Sequence, residues 1–192
     1  MNFNSIINYK VNRNQFPSTK KFDSNKINNI MDSFRSWNPF ESSLSAAIIS
    51  GLEIIPINKT SSLLYIGHLN YDVSLNLLDL VENNQKIFCV TKNRVQFTNQ
   101  DNLIKINNFN KIKNQKFTVI YLDYSNYSYE STIDITNSHL EKYGYLIIQF
   151  SKSSQNSNQL FDNFSKNFEI LQEVNIESFF RNKSLLLLKA LN

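Results

Sequence analysis

Asp123 ends the apolar run Phe117-Thr118-Val119-Ile120-Tyr121-Leu122, so a carboxylate stands at the carboxyl end of a predicted strand. A carboxylate there can take a proton or orient a hydroxyl; capping the next turn is its structural alternative. Gly67 closes a second run, Ser62-Leu63-Leu64-Tyr65-Ile66, where a residue without Cβ lets other groups approach the backbone. The chain has two histidines. His68 follows Gly67, where a solvated loop histidine is the ordinary reading and a general base the alternative. His139 falls in a predicted helix without a sequence partner and is not read as a metal ligand. No Cys/His cluster has zinc spacing, and no Gly-Lys-Thr phosphate loop occurs, so no metal is expected. The single cysteine, Cys89, lies in Lys86-Ile87-Phe88-Cys89-Val90; it reads as an inert core thiol in a reducing compartment, with no internal disulfide.

The elements that must position these groups alternate in type. Helical spacing of Leu44, Ala47, Ile48 and Leu52 predicts a helix over 41–52, after Asn38-Pro39 and with Gly51 near its end. Strands are expected at 62–66, 87–90, 103–106, 117–122 and 145–150. Helices are expected at 72–81, 131–143 and 159–168, and two last strands at 168–174 and 184–189. Continuous apolar strands between amphipathic helices predict a parallel sheet covered on both faces. The last two strands have almost no helix between them and are expected to pair antiparallel as an edge hairpin. The fold class is therefore α/β, with a Rossmann-like, seven-stranded, mostly parallel sheet and a C-terminal antiparallel hairpin. By analogy this is the layout of class I S-adenosylmethionine (SAM)-dependent methyltransferases. The strand after Phe117 is expected beside the strand at Ser62. Residues 1–36 are polar, with β-prone pieces such as Ile6-Ile7-Asn8-Tyr9-Lys10-Val11, and read as a small N-terminal β-rich subdomain ahead of a main domain at 37–192.

At 192 residues and 41% hydrophobic, the chain can bury a core and is not of disordered composition. No run of 18 apolar residues occurs, so no membrane is expected, and the N-terminus has no signal-peptide pattern. The net charge is +4, scattered, with the densest basic stretches at Lys20-Lys21 and Lys111-Ile112-Lys113. Solvated lysines and an RNA footprint explain that equally well. Asparagine occurs 30 times against three glycines and three prolines, a bias that suits an A/T-rich genome.

One segment is far more specific. Arg35-Ser36-Trp37-Asn38-Pro39-Phe40-Glu41-Ser42-Ser43-Leu44-Ser45-Ala46-Ala47-Ile48 resembles the fibrillarin signature YR-x-WNP(F/Y)RSKLAAAI, and Trp37 is the only tryptophan. Leu64-Tyr65-Ile66-Gly67 resembles the VLYLG of that family's first SAM motif, and Asn14-Gln15-Phe16-Pro17 is faintly similar to KNLVPG. The resemblance continues to Leu188, with Gly67 and Gly144 where the family has glycine at strand boundaries.

The resemblance implies ribose 2′-O-methylation with SAM and a Lys-Asp-Lys-His constellation. Carried over residue by residue, Ser43 stands for the first lysine, Asp123 is the retained aspartate, Ser151 stands for the second lysine and Lys183 for the histidine. Lys152, one residue on, can substitute for Ser151 only if a bulge shifts the strand end. The family loop LGAASGTT is Ile66-Gly67-His68-Leu69-Asn70-Tyr71-Asp72-Val73 here, so Tyr71 replaces a glycine and Asp72 and Val73 replace threonines. Thr91, followed by Lys92, replaces the acid that clamps the cofactor ribose. Asn108, followed by Phe109, replaces the aspartate that reads adenine. The family's DVAQP is Asp123-Tyr124-Ser125-Asn126-Tyr127, which puts Asn126 at a cofactor-binding position.

Losses that gather at the chemistry while the packing signature survives lead to one expectation: a catalytically impaired fibrillarin-like subunit of a box C/D ribonucleoprotein acting in rRNA processing. It would dock on a Nop-domain scaffold protein beside guide RNA, with rRNA as the particle's substrate, and would depend on that platform for RNA binding. The cofactor is SAM if the chain is active, and none otherwise. An active RNA 2′-O-methyltransferase with a divergent site is the alternative. The implied location is the nucleolus, of a nucleus or a nucleomorph.

Overall fold

In the computed structural model the described residues are 6–11, 14–20, 34–81, 85–91, 101–123, 128–152 and 157–191. A small antiparallel sheet, in order β1-β2-β3, holds β1 (Ile6–Val11), β2 (Asn14–Lys20) and β3 (Phe34–Ser36). There follow α1 (Ser43–Ile49), β4 (Leu63–Gly67), α2 (Tyr71–Leu80), β5 (Ile87–Val90), β6 (Leu103–Ile106) and a 3-10 turn at Phe109–Ile112. β7 (Phe117–Asp123), α3 (Tyr129–His139), β8 (Leu140–Ser151), α4 (Ser157–Phe164), β9 (Phe168–Asn175) and β10 (Lys183–Ala190) complete the fold.

The main sheet has seven strands in the order β6-β5-β4-β7-β8-β10-β9. β6 to β8 run parallel, and β10 pairs antiparallel with both β8 and β9, so the expected terminal hairpin forms. β4 lies beside β7, as expected, with Leu63 opposite Val119 and Gly67 opposite Asp123. The chain leaves β4 toward β5 on one side and returns to β7 on the other. The carboxyl ends of β4 and β7 thus flank a point where strand order reverses, the usual place for a ligand in such sheets.

Strand periodicity divides the core. Leu63 and Tyr65 join a cluster with Leu44 and Ala47 of α1 and Val73, Leu77 and Leu80 of α2. Leu64 and Ile66 face the other way, toward Phe164 of α4 and Ile133 and Ile135 of α3. Both faces being covered is why these strands read as unbroken apolar runs. Cys89 is buried and free, as expected, and burial pushes its thiol far above its ordinary pKa.

Trp37 is fully buried, its backbone N–H donating to the Pro17 carbonyl at 2.8 Å and its own carbonyl accepting from Ser45 Oγ at 2.7 Å. The signature segment therefore ties β2 to α1. A polar network fastens the small sheet to α2. Asp79 Oδ2 accepts from Arg35 Nε at 2.9 Å and from Thr19 Oγ1 at 2.9 Å, and Asn76 Nδ2 donates to Thr19 Oγ1 at 2.9 Å.

Some element ends differ from expectation. α1 is shorter, because Ser42 caps its first turn and Gly51, at φ 102°, turns the chain away. α4 ends at Phe164, because a turn at 165–167 intervenes before β9. α3 stops at His139 rather than continuing to Tyr143, because Leu140 already pairs with Phe117 and begins β8. His139, expected to lack a partner, has its Nδ1 3.2 Å from the Gln115 carbonyl oxygen and its ring stacked on Phe109.

Arg35→Met removes the guanidinium from the Asp79 carboxylate, which is 5% exposed. The expected loss is roughly 2–4 kcal/mol in urea unfolding, and adding Asp79→Leu should restore much of it, because a matched apolar pair replaces a buried charge. A single variant as stable as the parent would show that the network does not hold the sheet to α2.

Candidate functional site

Tyr121 and Asp123 are two apart on β7 and so project to the same face, toward the amino end of α1. Tyr65, directly opposite Tyr121 on β4, joins them, with ring centroids 5.1 Å apart and an edge-to-face angle of 87°. A tyrosine inside a strand covered on both faces must find a partner for its hydroxyl. Both find the same carboxylate region. Tyr65 OH donates to Asp123 Oδ2 at 2.6 Å. Ser43 Oγ donates to Asp123 Oδ1, and Tyr121 OH lies 2.6 Å from Ser43 Oγ. Leu44 N–H, at the start of α1, donates to Tyr121 OH at 3.0 Å.

Each hydroxyl has one proton, which orients the chain. Leu44 N–H feeds Tyr121, Tyr121 feeds Ser43, and Ser43 feeds Asp123, while Tyr65 supplies the second carboxylate oxygen. These hydroxyls converge on Asp123, and the Tyr65 OH also lies 3.0 Å from the His68 carbonyl oxygen. Burial, the dominant influence, raises the Asp123 carboxyl above its ordinary range; the Ser43, Tyr65 and Tyr121 hydroxyls and the Lys183 charge pull the other way without overcoming it. The tyrosine hydroxyls are pushed well up, by burial first and then by the Asp123 charge. Lys183 is half-buried, and burial lowers its ammonium against the opposing pull of Asp123.

Gly67 makes this possible. A Cβ there would sit 2.8 Å from the Asp123 carbonyl oxygen and 3.0 Å from its Cβ. Only glycine lets the end of β4 lie so close to the residue that carries the carboxylate.

Ser43, Asp123 and Gly67 thus come together, with Lys183 near enough for its charge to act on Asp123. Lys183 pairs across strands with Ser151, whose Oγ is 3.5 Å from the Asn182 carbonyl oxygen. The β8–β10 register runs unbroken to Ser151, and Lys152 lies in the turn beyond. The bulge that Lys152 would need to replace Ser151 is not in that pairing.

At the loop after β4, Asn70 caps α2, its Oδ1 accepting from Val73 N–H at 2.7 Å. Its amide donates to Glu41 Oε2 at 2.9 Å, latching the loop to the segment before α1. Asp72 lies in the first turn of α2. Tyr71, the expected intruder, opens the helix with its side chain turned out, 46% exposed; its φ is not positive, so it imposes no left-handed turn. Thr91 is buried just past β5. Asn108 Oδ1 accepts from Asn110 N–H at 2.8 Å in a local turn. The Phe109 ring stacks on His139, which touches Phe117 at the amino end of β7, so Phe109 is not part of the Asp123 group. His68 is exposed. Lys92 and Asn126 lie outside the described residues. Among the described residues no cluster of His, Cys, Asp and Glu could hold a metal ion.

Sequence reasoning passed over Tyr65 and Tyr121. Their signal was a hydroxyl in an apolar strand, two residues from the aspartate in one case. The Glu41–Asn70 latch spans 29 positions and left no signal.

The raised Asp123 pKa sets a pH dependence. Folding favours the protonated form, so the stability it contributes is present below the ordinary carboxylate range and is lost as pH rises through the folded value. Asp123→Asn removes the titration with little change of shape. Urea midpoints should therefore move in the variant's favour, relative to the parent, as pH rises from about 4 to 8. A difference that stays flat, or moves the other way, would show that the hydroxyl donors outweigh burial.

The Fibrillarin family model matches residues 2–190. The fibrillarin-like rRNA/tRNA 2′-O-methyltransferase of Pyrobaculum aerophilum is 37% identical over 59 residues, 31% of this chain and 25% of that protein. The aligned stretch thus spans about a quarter of such relatives. The protein of that description from Methanococcus maripaludis strain C5 is 29% identical over 170 residues, 76% of this chain and 73% of its own. The fold superposes on the Methanococcus jannaschii fibrillarin pre-rRNA processing protein with TM-score 0.77 at 22% identity, covering 96% of this chain and 97% of that one. Aeropyrum pernix fibrillarin, in complex with natively bound S-adenosyl-L-methionine, gives 0.76 at 16% identity, covering 95% and 92%. A fibrillarin/Nop5p complex gives 0.73 at 18%, covering 97% of each chain. A family match over almost the full length, on a fold superposing end to end, means that this chain belongs to the fibrillarin family.

Proposed function

We propose that this chain is a structural subunit of a box C/D ribonucleoprotein acting in rRNA processing, with its own methyl-transfer chemistry impaired. The observation that carries this is the state of Asp123. Where the family signature has a lysine, Ser43 offers a neutral hydroxyl, and both carboxylate oxygens already accept hydrogen bonds, from Ser43 and Tyr65. A base for a ribose hydroxyl needs a free oxygen within hydrogen-bond reach and a cation to orient the ribose. Here the described cation that acts on Asp123 is Lys183, on another strand.

The residues at the cofactor positions do not fit SAM. The loop after β4 has its Val73 N–H taken by Asn70, has Glu41 bonded to Asn70 and carries Asp72 in the first turn of α2, two carboxylates that disfavour an anionic methionine group. Thr91 has no charge with which to clamp ribose hydroxyls. No step is therefore routed through the cofactor. SAM bound in the Aeropyrum pernix protein and Nop5p bound in the fibrillarin/Nop5p complex support the cofactor as the family's ligand and a Nop-domain protein as this chain's docking platform. Among the described residues no helix is long and apolar enough to cross a membrane. Guide RNA and rRNA are met through the particle, in the nucleolus of a nucleus or nucleomorph.

One observation favours the alternative of an active enzyme with a divergent site: Lys183 stands where the family has histidine and its charge acts on Asp123. Two measurements separate the readings. Calorimetric titration of the full chain with SAM to about 1 mM should show no saturable heat. Glu41→Arg with Thr91→Glu should bring binding back, and methyl transfer should return only with lysine also at Ser43 and Ser151. Guide-directed methylation by a particle holding the unaltered chain, abolished by Asp123→Ala, would establish the active enzyme instead.

A further inference from the structure

At the end of the sheet opposite Asp123, β8 departs from β7. Leu140 pairs with Phe117 and Tyr145 with Val119, so residues 141–144 loop out opposite the single residue Thr118. Glu141, Lys142 and Tyr143 are exposed. The loop closes tightly on Gly144, where a Cβ would meet Leu140 Cδ1 at 2.8 Å and the Glu141 carbonyl oxygen at 2.9 Å. Bulges of this kind re-aim side chains and gather beside functional sites.

Tyr143 sits at φ 60°, a left-handed conformation that bulky side chains rarely adopt. Asparagine tolerates it better. Asn182, the other non-glycine residue so placed among the described residues, is that ordinary choice. In a chain with 30 asparagines, the loop holds a tyrosine instead, 54% exposed. The fold gains little from that ring.

One lysine lies against the ring, and two more line a groove beside the loop. Lys142 Nζ lies 5.0 Å from the centre of the Tyr143 ring. On one flank a groove of about 520 Å³ is lined by Lys116, Lys142 and Lys166, with Glu141 its one carboxylate. On the other, a groove of about 230 Å³ meets the same Lys142 and Tyr143. Lys116 donates to the Asn137 carbonyl at 2.9 Å and Lys166 to Asn163 Oδ1 at 3.2 Å. Among the described residues, none of the three ammonium groups pairs with a carboxylate. A displayed aromatic face beside unneutralised cations in open grooves suits single-stranded nucleic acid, whose bases stack and whose phosphates seek charge. An acidic peptide would use the lysines and leave the strained ring without a purpose.

We propose that the Tyr143 loop, with Lys116, Lys142 and Lys166, is a contact site for single-stranded RNA at the end of the sheet away from Asp123. The test uses the full chain and a fluorescent oligouridylate of about ten nucleotides, followed by anisotropy across roughly 20–200 mM KCl, where phosphate contacts weaken as salt rises. Saturable, salt-sensitive binding is expected. Tyr143→Asn should weaken it about tenfold, with a thermal midpoint no lower than the parent's, since the change relieves strain. Lys142→Gln with Lys166→Gln should flatten the log–log salt slope by about 1.4; Arg181→Gln, a charge removed at the other end, should leave it unchanged. Absence of saturable binding at the lowest salt, parental affinity in Tyr143→Asn, or an equal effect of Arg181→Gln would overturn the proposal. So would Tyr143-dependent binding of a polyglutamate peptide as tight as that of the oligonucleotide, which would make this a protein-docking surface.

Discussion

The close approach of β4 to β7 at their carboxyl ends is the constraint on which the site depends. Gly67 lies against the main chain of Asp123 because it has no Cβ, and the pairing of Gly67 with Asp123 sets the register of the strands behind them. That register puts Tyr65 opposite Tyr121 and both beneath α1. α1 is held from its other side by the buried Trp37 segment, through the Ser45–Trp37 bond. The carboxylate, the tyrosines and Ser43 are thus positioned by packing on three elements, with little freedom for any one to move alone.

What this geometry accomplishes depends on a change of charge. A lysine in the place of Ser43 would meet Asp123 as an ion pair and hold its pKa down. A serine hydroxyl makes a hydrogen bond but brings no charge, so burial prevails and the carboxyl rises. The same side chain also accepts from Tyr121, which carries the amino end of α1. Packing and chemistry are therefore separable here: a neutral donor network supports the helix and sheet as well as an ionic one would.

The two ends of the sheet differ in construction. At the carboxyl ends, strand order reverses and side chains converge on a desolvated carboxylate. At the amino ends, a bulged β8 turns side chains outward beside open grooves. The first arrangement gathers hydroxyl donors on one carboxylate; the second exposes charge and ring surface. The polar fastening of the small sheet to α2, through Arg35 and Asp79, belongs to neither end.

The main sheet was legible because its strands are buried on both faces, so runs such as Leu63–Ile66 and Phe117–Leu122 carry their own signal, and the signature from Arg35 to Ile48 named the family. Asp123 and Gly67 could be picked out because both sit where apolar runs end. The family positions Ser43 and Lys183 are 140 residues apart, and only the fold places both within reach of Asp123. The roles of Tyr65 and Tyr121 were decided there too, since a tyrosine in a strand names a need for a hydrogen-bond partner but not which partner meets it. Tyr71, by contrast, looked obstructive in sequence and is turned outward, because a side chain's direction follows from the helix it opens. Phe109 moved to His139 for a like reason, the return path from β6 to β7. The displayed loop at Tyr143 could not be read, because helix and strand patterns overlap across 131–145 and the bulge exists only once Leu140 and Tyr145 pair with β7. Local pattern is written in the order of residues; contact between distant residues is settled by the packing of elements, and at this site packing decided which groups touch the carboxylate.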